Sequence, residues 1–205
     1  MSRYDELARL GSATVYEAGG RRGYVDADLH QIVPGSRAAG PARTVRCSGG
    51  DILTAHAAMA RLQPGEVLVL TMPEPAPVAL LGDLLAMQAK VAGAAAVLVD
   101  AAVRDSAELA DLGLPVWARW IRVRGAAKEI LGELDVPVVV GGAEIRPGDA
   151  VVLDADGVAV IEAERIDEVL DASLAREERE RVKRERLRGG ALSWEIDGLM
   201  ERFQP

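Results

Sequence analysis

The sequence is poor in the residues from which metal clusters, redox centres and aromatic cores are usually built. One cysteine, Cys47, stands among 205 residues, which excludes an intrachain disulfide and a thiolate metal cluster. The two histidines, His30 and His56, lie far apart in the chain and argue against a His-rich zinc site. A metal would have to be held by carboxylates and water, which favours a hard cation such as Mg²⁺ or Mn²⁺. Aromatic residues make up 3%, so the core must be assembled from Ala, Val, Leu and Ile. Lys and Arg are outnumbered, 24 against 32 Asp and Glu, for a net charge of −8. This balance speaks against a nucleic-acid groove, because phosphate contacts need a cationic surplus on one face. No uncharged apolar run approaches the ~18 residues of a membrane span, and Met1 to Glu6 carries no apolar signal segment. The expectation is a soluble, cytoplasmic protein with no membrane partner.

What is present, 49% hydrophobic and 27% charged residues, suits one globular domain over residues 1–205. Residues 4–10 read as a short helix, and Ser12 reads as the cap of a second one through Val15 and Ala18. Ile32 to Pro34 and Ala42 to Cys47 read as strands. Asp51 caps a helix on which Ile52, Ala55, His56, Met59 and Leu62 share a face, with His56 read as a packed or partner-bonded histidine rather than a ligand. Val67 to Thr71, Leu84 to Ala92 and Ala94 to Val99 alternate strand, helix and strand, with Gly93 ending the helix. This is a βαβ unit, whose parallel strands end at one edge of the sheet, where ligands bind. Helix Leu109 to Leu112 and strand-like runs Val116-Trp117, Val136 to Val140 and Val151 to Leu153 follow. Asp154-Ala155-Asp156-Gly157 lacks the further acids of a calcium loop and reads as a tight hairpin into Val158 to Ile161. From Ala163 to Arg188 the pattern is helical, with Ile166, Val169, Leu170 and Leu174 in a stripe and a charged, solvated second half. Gly189-Gly190 ends it, and the tail bearing Trp194, Ile196, Leu199, Met200 and Phe203 is apolar enough to dock on its own body or on a neighbouring subunit.

Asp83, Arg104 and Asp105 face the open edge of the βαβ unit, with Glu108 three residues further on. Taken separately, each has an ordinary explanation. Asp83 caps a helix, Asp105 with Glu108 has the form of a capping box, and Arg104 is a surface ion-pair partner. Taken together, they match a metal-assisted carbon–carbon cleavage of a 2-oxo acid. In that reading Asp105 anchors the cation, and Arg104 offers a fork of donors to the carboxylate or enolate oxygen. The backbone N–H groups of Leu84 and Leu85, at a helix N-terminus, hold the other carboxylate oxygen. Asp83 and Glu108 orient metal-bound waters, one of which serves as acid or base.

Gly82-Asp83-Leu84-Leu85-Ala86, the spacing Asp-X20-Arg-Asp ending at Arg104-Asp105, the Asp154 to Val158 turn and Thr14-Val15-Tyr16-Glu17-Ala18 resemble the regulator of ribonuclease activity A family. The resemblance is greatest to its class II 4-hydroxy-4-methyl-2-oxoglutarate/4-carboxy-4-hydroxy-2-oxoadipate aldolases, and covers roughly Ser12 to Ile161. It implies an α/β fold of β/β/α swivelling type with a long C-terminal helix. It also implies trimers that pair into hexamers with the site between subunits, retro-aldol release of pyruvate with Mg²⁺ or Mn²⁺, and a secondary oxaloacetate decarboxylase activity. The roles argued above fall on the same residues. Family members that regulate ribonuclease E typically lack an acid at the position of Glu108, so the resemblance favours the enzyme over a non-catalytic binding protein. Two features depart from the pattern. Ala101-Ala102 stands where the family often has Gly-Gly or Ala-Gly, and the added methyl either crowds the pocket or goes with a different substrate. The acid that a neighbour's C-terminal region supplies has two candidates, Glu195 and Asp197. Specificity for the distal half of the substrate is expected from loops such as Pro73 to Pro77 and from the neighbouring subunit.

Overall fold

The computed structural model describes residues 2–202, the side chain of residue 201 apart, and the tail residue Phe203 falls outside them. The chain opens with helices α1 (Arg3–Leu10) and α2 (Ser12–Ala18), then strands β1 (His30–Gln31) and β2 (Ala38–Arg46). Helix α3 (Leu53–Ala58), strands β3 (Val67–Thr71) and β4 (Ala79–Leu81), helix α4 (Asp83–Val91), strand β5 (Ala96–Val103) and helix α5 (Ser106–Leu112) form the centre. Strands β6 (Val116–Ile121), β7 (Glu133–Leu134), β8 (Val138–Val140), β9 (Ala143–Ile145), β10 (Ala150–Asp154) and β11 (Gly157–Ile161) follow, and helices α6 (Ile166–Arg188) and α7 (Ser193–Ile196) close the chain. No helix among the described residues is long and apolar enough to cross a membrane.

The main sheet runs β1-β6-β5-β3-β2-β10-β11, with β4 paired to β5 and β7 to β2. Its β2-β3-β5-β6 part is parallel, and β10 joins antiparallel to the first residues of β2. Strand β2 therefore serves two sheet segments: Ala38 to Pro41 pair with β10, and Ala42 to Arg46 pair with β3. The sheet curls back over itself as a result. Side chains alternate along a strand, so each strand feeds two cores. Leu68, Leu70, Val97 and Val99 face Ala55, Ala86, Ala89 and Leu109 of helices α3, α4 and α5. Val67, Val69 and Leu98 point inward with Trp117, Ile145, Val151 and Leu153. The opposite faces of β10 and β11, with Val152 and Ile161, pack on Leu7, Val15 and Ile166 of α1, α2 and α6. Two β layers thus lie between helices, and the sandwich carries helices on both outer faces. With aromatics scarce, Trp117 is the largest fully buried side chain, and its indole N–H donates to the Asp154 carbonyl at 2.9 Å.

Several expected elements shift for physical reasons. Ser12 does not cap α2 through its side chain; Gly11 occupies the cap position. Ser12 lies inside the helix, where its N–H and hydroxyl donate to the buried Asp154 carboxylate at 2.8 and 2.6 Å. The strand expected at Ile32 forms instead at His30–Gln31, against β6. The Asp154 to Gly157 turn is the expected hairpin, with Asp154 opposite Gly157. In α6, Ile166 and Val169 are buried, but Leu174 is exposed and Ser173 takes the inward place. Its hydroxyl is satisfied by donating to the Val169 carbonyl at 2.6 Å. The far half of α6 is laced by ion pairs such as Arg181–Glu178 and Arg184–Glu180. The tail turns back beside it, where Asp197 pairs with Lys183 at 2.5 Å, while Leu192 and Met200 stay exposed.

Candidate functional site

Two parallel strands deliver the central residues to one edge. The sequence reading placed Asp83 after the strand Val67–Thr71; the structure inserts the short buried strand β4 between them, paired parallel to β5. β4 leads through Gly82 into α4, and β5 leads through Arg104 and Asp105 into α5. The two turns are tied together, since the Arg104 N–H donates to the Leu81 carbonyl at 3.0 Å.

Asp105 has a left-handed backbone, φ 55° and ψ 44°, at the cap position of α5, and its side chain makes no capping bond there. The expected capping box with Glu108 is not formed. The carboxylate instead points at the N-terminus of α4, where Oδ2 accepts the Asp83 N–H at 3.3 Å and lies 3.4 Å from Arg104 Nε. A left-handed aspartate is tolerated at some cost, and this backbone aims the acid out of its own helix. Gly82 makes room for the arrangement: a Cβ there would stand 2.6 Å from Asp105 Oδ2 and 3.1 Å from Arg104 Nε. Asp83 is the first residue of α4 and does not cap it; the cap position is Gly82. The Asp83 N–H goes to Asp105 and the Ala86 N–H to the Gly82 carbonyl. The N–H groups of Leu84 and Leu85 are left without an intrahelical acceptor, as at any helix start.

These residues line a cleft of about 250 Å³ that includes Gly82, Asp83, Leu84, Leu85 and Arg104, together with His56 and Lys128. Arg104 also borders a shallower hollow with Asp105, Ser106 and Arg122. Gly125 completes the seat of the guanidinium, because a Cβ at that position would lie 2.8 Å from Arg104 Nη1. His56 is half-buried and Nε2 has no hydrogen-bond partner, so of the two expected roles, packed or partner-bonded, the structure shows the packed one. Burial, with the nearby Lys128 charge, lowers its pKa, which keeps the imidazole neutral. His56, Gly125 and Lys128 were missed as site residues. The last two sit in a polar segment after β6 with no periodicity, and only the fold brings it beside α4.

Glu108 is exposed in the first turn of α5 and lines neither cleft. Ala101 and Ala102 are fully buried within β5, so their methyl groups pack in the sheet and do not crowd the cleft. Pro73 to Pro77 contribute nothing to its lining, which comes instead from the segment around Ala126 and Lys128. Glu195 is exposed on α7 and Asp197 is held by Lys183; neither lines the cleft or the hollow beside Arg104 of its own chain. Among the described residues no group of three or more His, Cys, Asp or Glu converges to form a cage for a metal. A separate cleft of about 280 Å³ beside α2 contains Arg146 and Arg165, which are already paired with Glu144 and Glu168. Cys47 is buried, and that burial pushes its thiol up to about 12, so no thiolate nucleophile is available.

Comparison with known proteins agrees with this architecture. A Halalkalibacterium halodurans protein provisionally named 4-hydroxy-4-methyl-2-oxoglutarate aldolase is 40% identical over 122 residues, 60% of this chain, and the chain spans 58% of that relative's length. The crystal structure of Streptomyces coelicolor RraAS2, described as an unusual member of the RNase ES inhibitor RraA protein family, superimposes with a TM-score of 0.79 at 33% identity. That match covers 89% of this chain and 95% of the other. The RNA-processing inhibitor RraA from Thermus thermophilus gives 0.67 at 30% identity, over 73% and 91% of the two chains. The RraA-like family model, Aldolase/RraA, matches residues 9–160, and with the sheet, the helix starts and the Arg104-Asp105 turn laid out as above, the chain belongs to the RraA-like family.

Proposed function

We propose that this protein is a divalent-cation-dependent carbon–carbon lyase that releases pyruvate from a 4-hydroxy-2-oxo di- or tricarboxylate, with oxaloacetate decarboxylation as a side activity. The observation that carries the reading is the Asp105 carboxylate, turned by a left-handed backbone away from its own helix and toward Arg104 and the start of α4. The donor set suits a hard cation. One carboxylate with open space around it fits Mg²⁺ or Mn²⁺, which keep several waters, better than a metal needing a full protein cage. Bound at Asp105, the cation would supply Lewis acidity to the carboxylate and keto oxygens of a 2-oxo acid.

The chain's own residues do the rest. The N–H groups of Leu84 and Leu85 bind a carboxylate oxygen at the helix start, where the dipole favours negative charge. Arg104 donates to the keto oxygen, and those bonds strengthen as the oxygen becomes an enolate. A base removes the C4 hydroxyl proton and the C3–C4 bond breaks. Its electron pair passes to C3 as the enolate, C4 leaves as a carbonyl, and C3 takes a proton to give pyruvate. Asp83 beside the cleft and Glu108 on the adjoining turn are the carboxylates that hold and move these protons. With oxaloacetate the same bond breaks, CO₂ departs, and C3 is protonated in the same way.

This reading includes assembly into homotrimers or hexamers. Leu84, Met87 and Val91 form an apolar stripe on α4 that is 75%, 50% and 85% exposed, at the spacing of one helix face and beside the site. A neighbouring copy seated there would shield the stripe, and its C-terminal Glu195 or Asp197 would add an acid to the site.

The test is pyruvate release from oxaloacetate with Mg²⁺, with Mn²⁺ and with excess chelator, corrected for the cation's own decarboxylation and run beside Arg104→Ala. Expected is turnover that needs the cation and falls on the order of 10²-fold or more in the variant. Likeness to RraAS2 over nearly the whole chain supports a second reading, a non-catalytic regulator that binds a ribonuclease. Absence of turnover on oxaloacetate and on both aldol substrates, with ribonuclease binding unchanged by Arg104→Ala, would favour it.

A further inference from the structure

The cleft beside Arg104 has a second cationic side. Lys128 lines it together with the Asp83 and Arg104 turns, comes from the segment after β6, and makes no ion pair among the described residues. That segment is otherwise exposed, yet it is fastened on both flanks of Lys128. Ala127 exchanges backbone bonds with Gly50 and Ile52, both at 2.9 Å. On the other flank the Asp51 carboxylate, 2% exposed, accepts the N–H groups of Glu129 at 2.7 Å and Ile130 at 3.0 Å. Its other oxygen accepts the Leu53 N–H at 2.8 Å, at the start of α3. The Gly132 N–H donates to Thr54 Oγ1 at 2.6 Å, and the Ala79 N–H to the Arg124 carbonyl at 2.8 Å. Asp51 therefore links the helix that carries His56 to the segment that carries Lys128, and all of its bonds go to backbone. A lysine on a loose loop would carry its charge wherever the loop moved; anchoring on both flanks fixes where the exposed Lys128 side chain leaves the backbone, so its ammonium stays within reach of the cleft. The neutral His56 beside it brings no competing charge.

We propose that Lys128, positioned through Asp51, binds the distal carboxylate of the substrate and makes the site select 4-hydroxy-2-oxo acids that carry a second carboxylate over those ending in a neutral group. This rests on the lyase reading, with the 2-oxo acid end at Arg104 and Asp105. Asp51 is a positioning residue and Lys128 the residue that meets the ligand.

The experiment compares kcat and KM on 4-hydroxy-4-methyl-2-oxoglutarate and on 4-hydroxy-2-oxopentanoate, with Mg²⁺, for wild type, Lys128→Met, Lys128→Arg and Asp51→Asn. Hydrogen–deuterium exchange of the pyruvate methyl group by wild type reports on the proximal half of the site alone. In Lys128→Met the ratio of kcat/KM for the dicarboxylate to that for the monocarboxylate is expected to fall on the order of 10- to 100-fold, the range of a charge-assisted hydrogen bond. Most of the loss should appear in KM. Lys128→Arg retains most of the ratio, and Asp51→Asn lowers it in the same direction with thermal unfolding recorded alongside. An unchanged ratio in Lys128→Met, with methyl exchange present in wild type, overturns the inference and leaves the lyase reading standing. Absence of both exchange and turnover in wild type overturns the two together.

Discussion

The Asp105 carboxylate accepts the backbone N–H of Asp83 at 3.3 Å, across a separation of 22 residues, and so joins the start of α5 to the start of α4. Each residue in isolation is a plausible cap for its own helix. In the folded chain neither caps, and the acid that α5 forgoes is delivered to the edge where Arg104 and the free N–H groups of α4 lie.

Asp105→Asn isolates the charge from the geometry. Asparagine tolerates the left-handed region as aspartate does and its carbonyl oxygen still accepts the Asp83 N–H. The melting temperature should stay within a few degrees of wild type. Mn²⁺ affinity measured by calorimetric titration should fall at least on the order of 10²-fold, beyond the loss seen for outer partners of a metal, and turnover should fall with it. Unaltered Mn²⁺ binding would remove Asp105 as the anchor.

His56 gives a pH prediction with a definite sign. Its folded pKa lies below the ordinary 6.5 because of burial and then the Lys128 charge. Between that depressed value and about 6.5 the unfolded chain holds more protons than the folded one, so stability rises with pH through this window. The neutral, half-buried imidazole contributes its full share above about 6.5 and loses it as the solution is acidified. Melting curves at pH 8 and pH 5 should show a smaller acid-induced drop in His56→Gln than in wild type. Equal drops would mean that His56 is as solvated folded as unfolded.

Ser12→Ala tests a connection far from the site. The hydroxyl and N–H of Ser12 both donate to Asp154, a carboxylate only 5% exposed that also accepts the Asp156 N–H at 3.0 Å. Removing the hydroxyl leaves a buried acceptor short of one partner, at a cost of about 1–3 kcal/mol. For a chain of this length the melting temperature should drop by roughly 2–10 °C, with turnover per folded molecule unaltered. A stability change below about 0.5 kcal/mol would show that water replaces the lost donor.

The contrast between Ser12 and Asp83 on one side and β3 and α6 on the other shows where the sequence is informative. Val67 to Thr71 alternates between two apolar faces, and Ala163 to Arg188 repeats at helical spacing; both signals are local and both elements are present. The hairpin at Asp154 to Gly157 is likewise local. Ser12 and Asp105 carry cap side chains that are satisfied by partners elsewhere in the fold, and residue type alone cannot reveal a partner 142 or 22 positions away. Strand β4 was hidden because three residues, Ala79-Leu80-Leu81, are too few to show a period. Arg104 and Asp105 were legible as a pair through their spacing from Asp83. Gly125 and Lys128 were not, since the one meets the Arg104 guanidinium and the other the cleft only when the segment after β6 is fastened to Asp51 and Ala79.

Gly125 and Arg104 offer the sharpest test of positioning at the site. Gly125 has no left-handed requirement, so Gly125→Ala leaves the backbone unstrained, but the new methyl carbon would fall 2.8 Å from Arg104 Nη1. That neighbour is the end of a flexible, half-exposed side chain, so the guanidinium swings aside at little cost to folding. A displacement of about 1 Å at a reacting group is enough for losses of order 10²-fold, and kcat should fall by up to that factor while the melting temperature changes little. Arg104→Lys keeps the charge but loses the planar fork that donates to two acceptors at once, and should cost a similar factor. The two losses should not add. In the Arg104→Lys background there is no Nη1 to displace, so Gly125→Ala should lower kcat far less than it does alone, and the double-mutant cycle reads that shortfall directly. Full additivity would show that Gly125 acts on something other than the guanidinium, and the seat assigned to Arg104 would have to be abandoned.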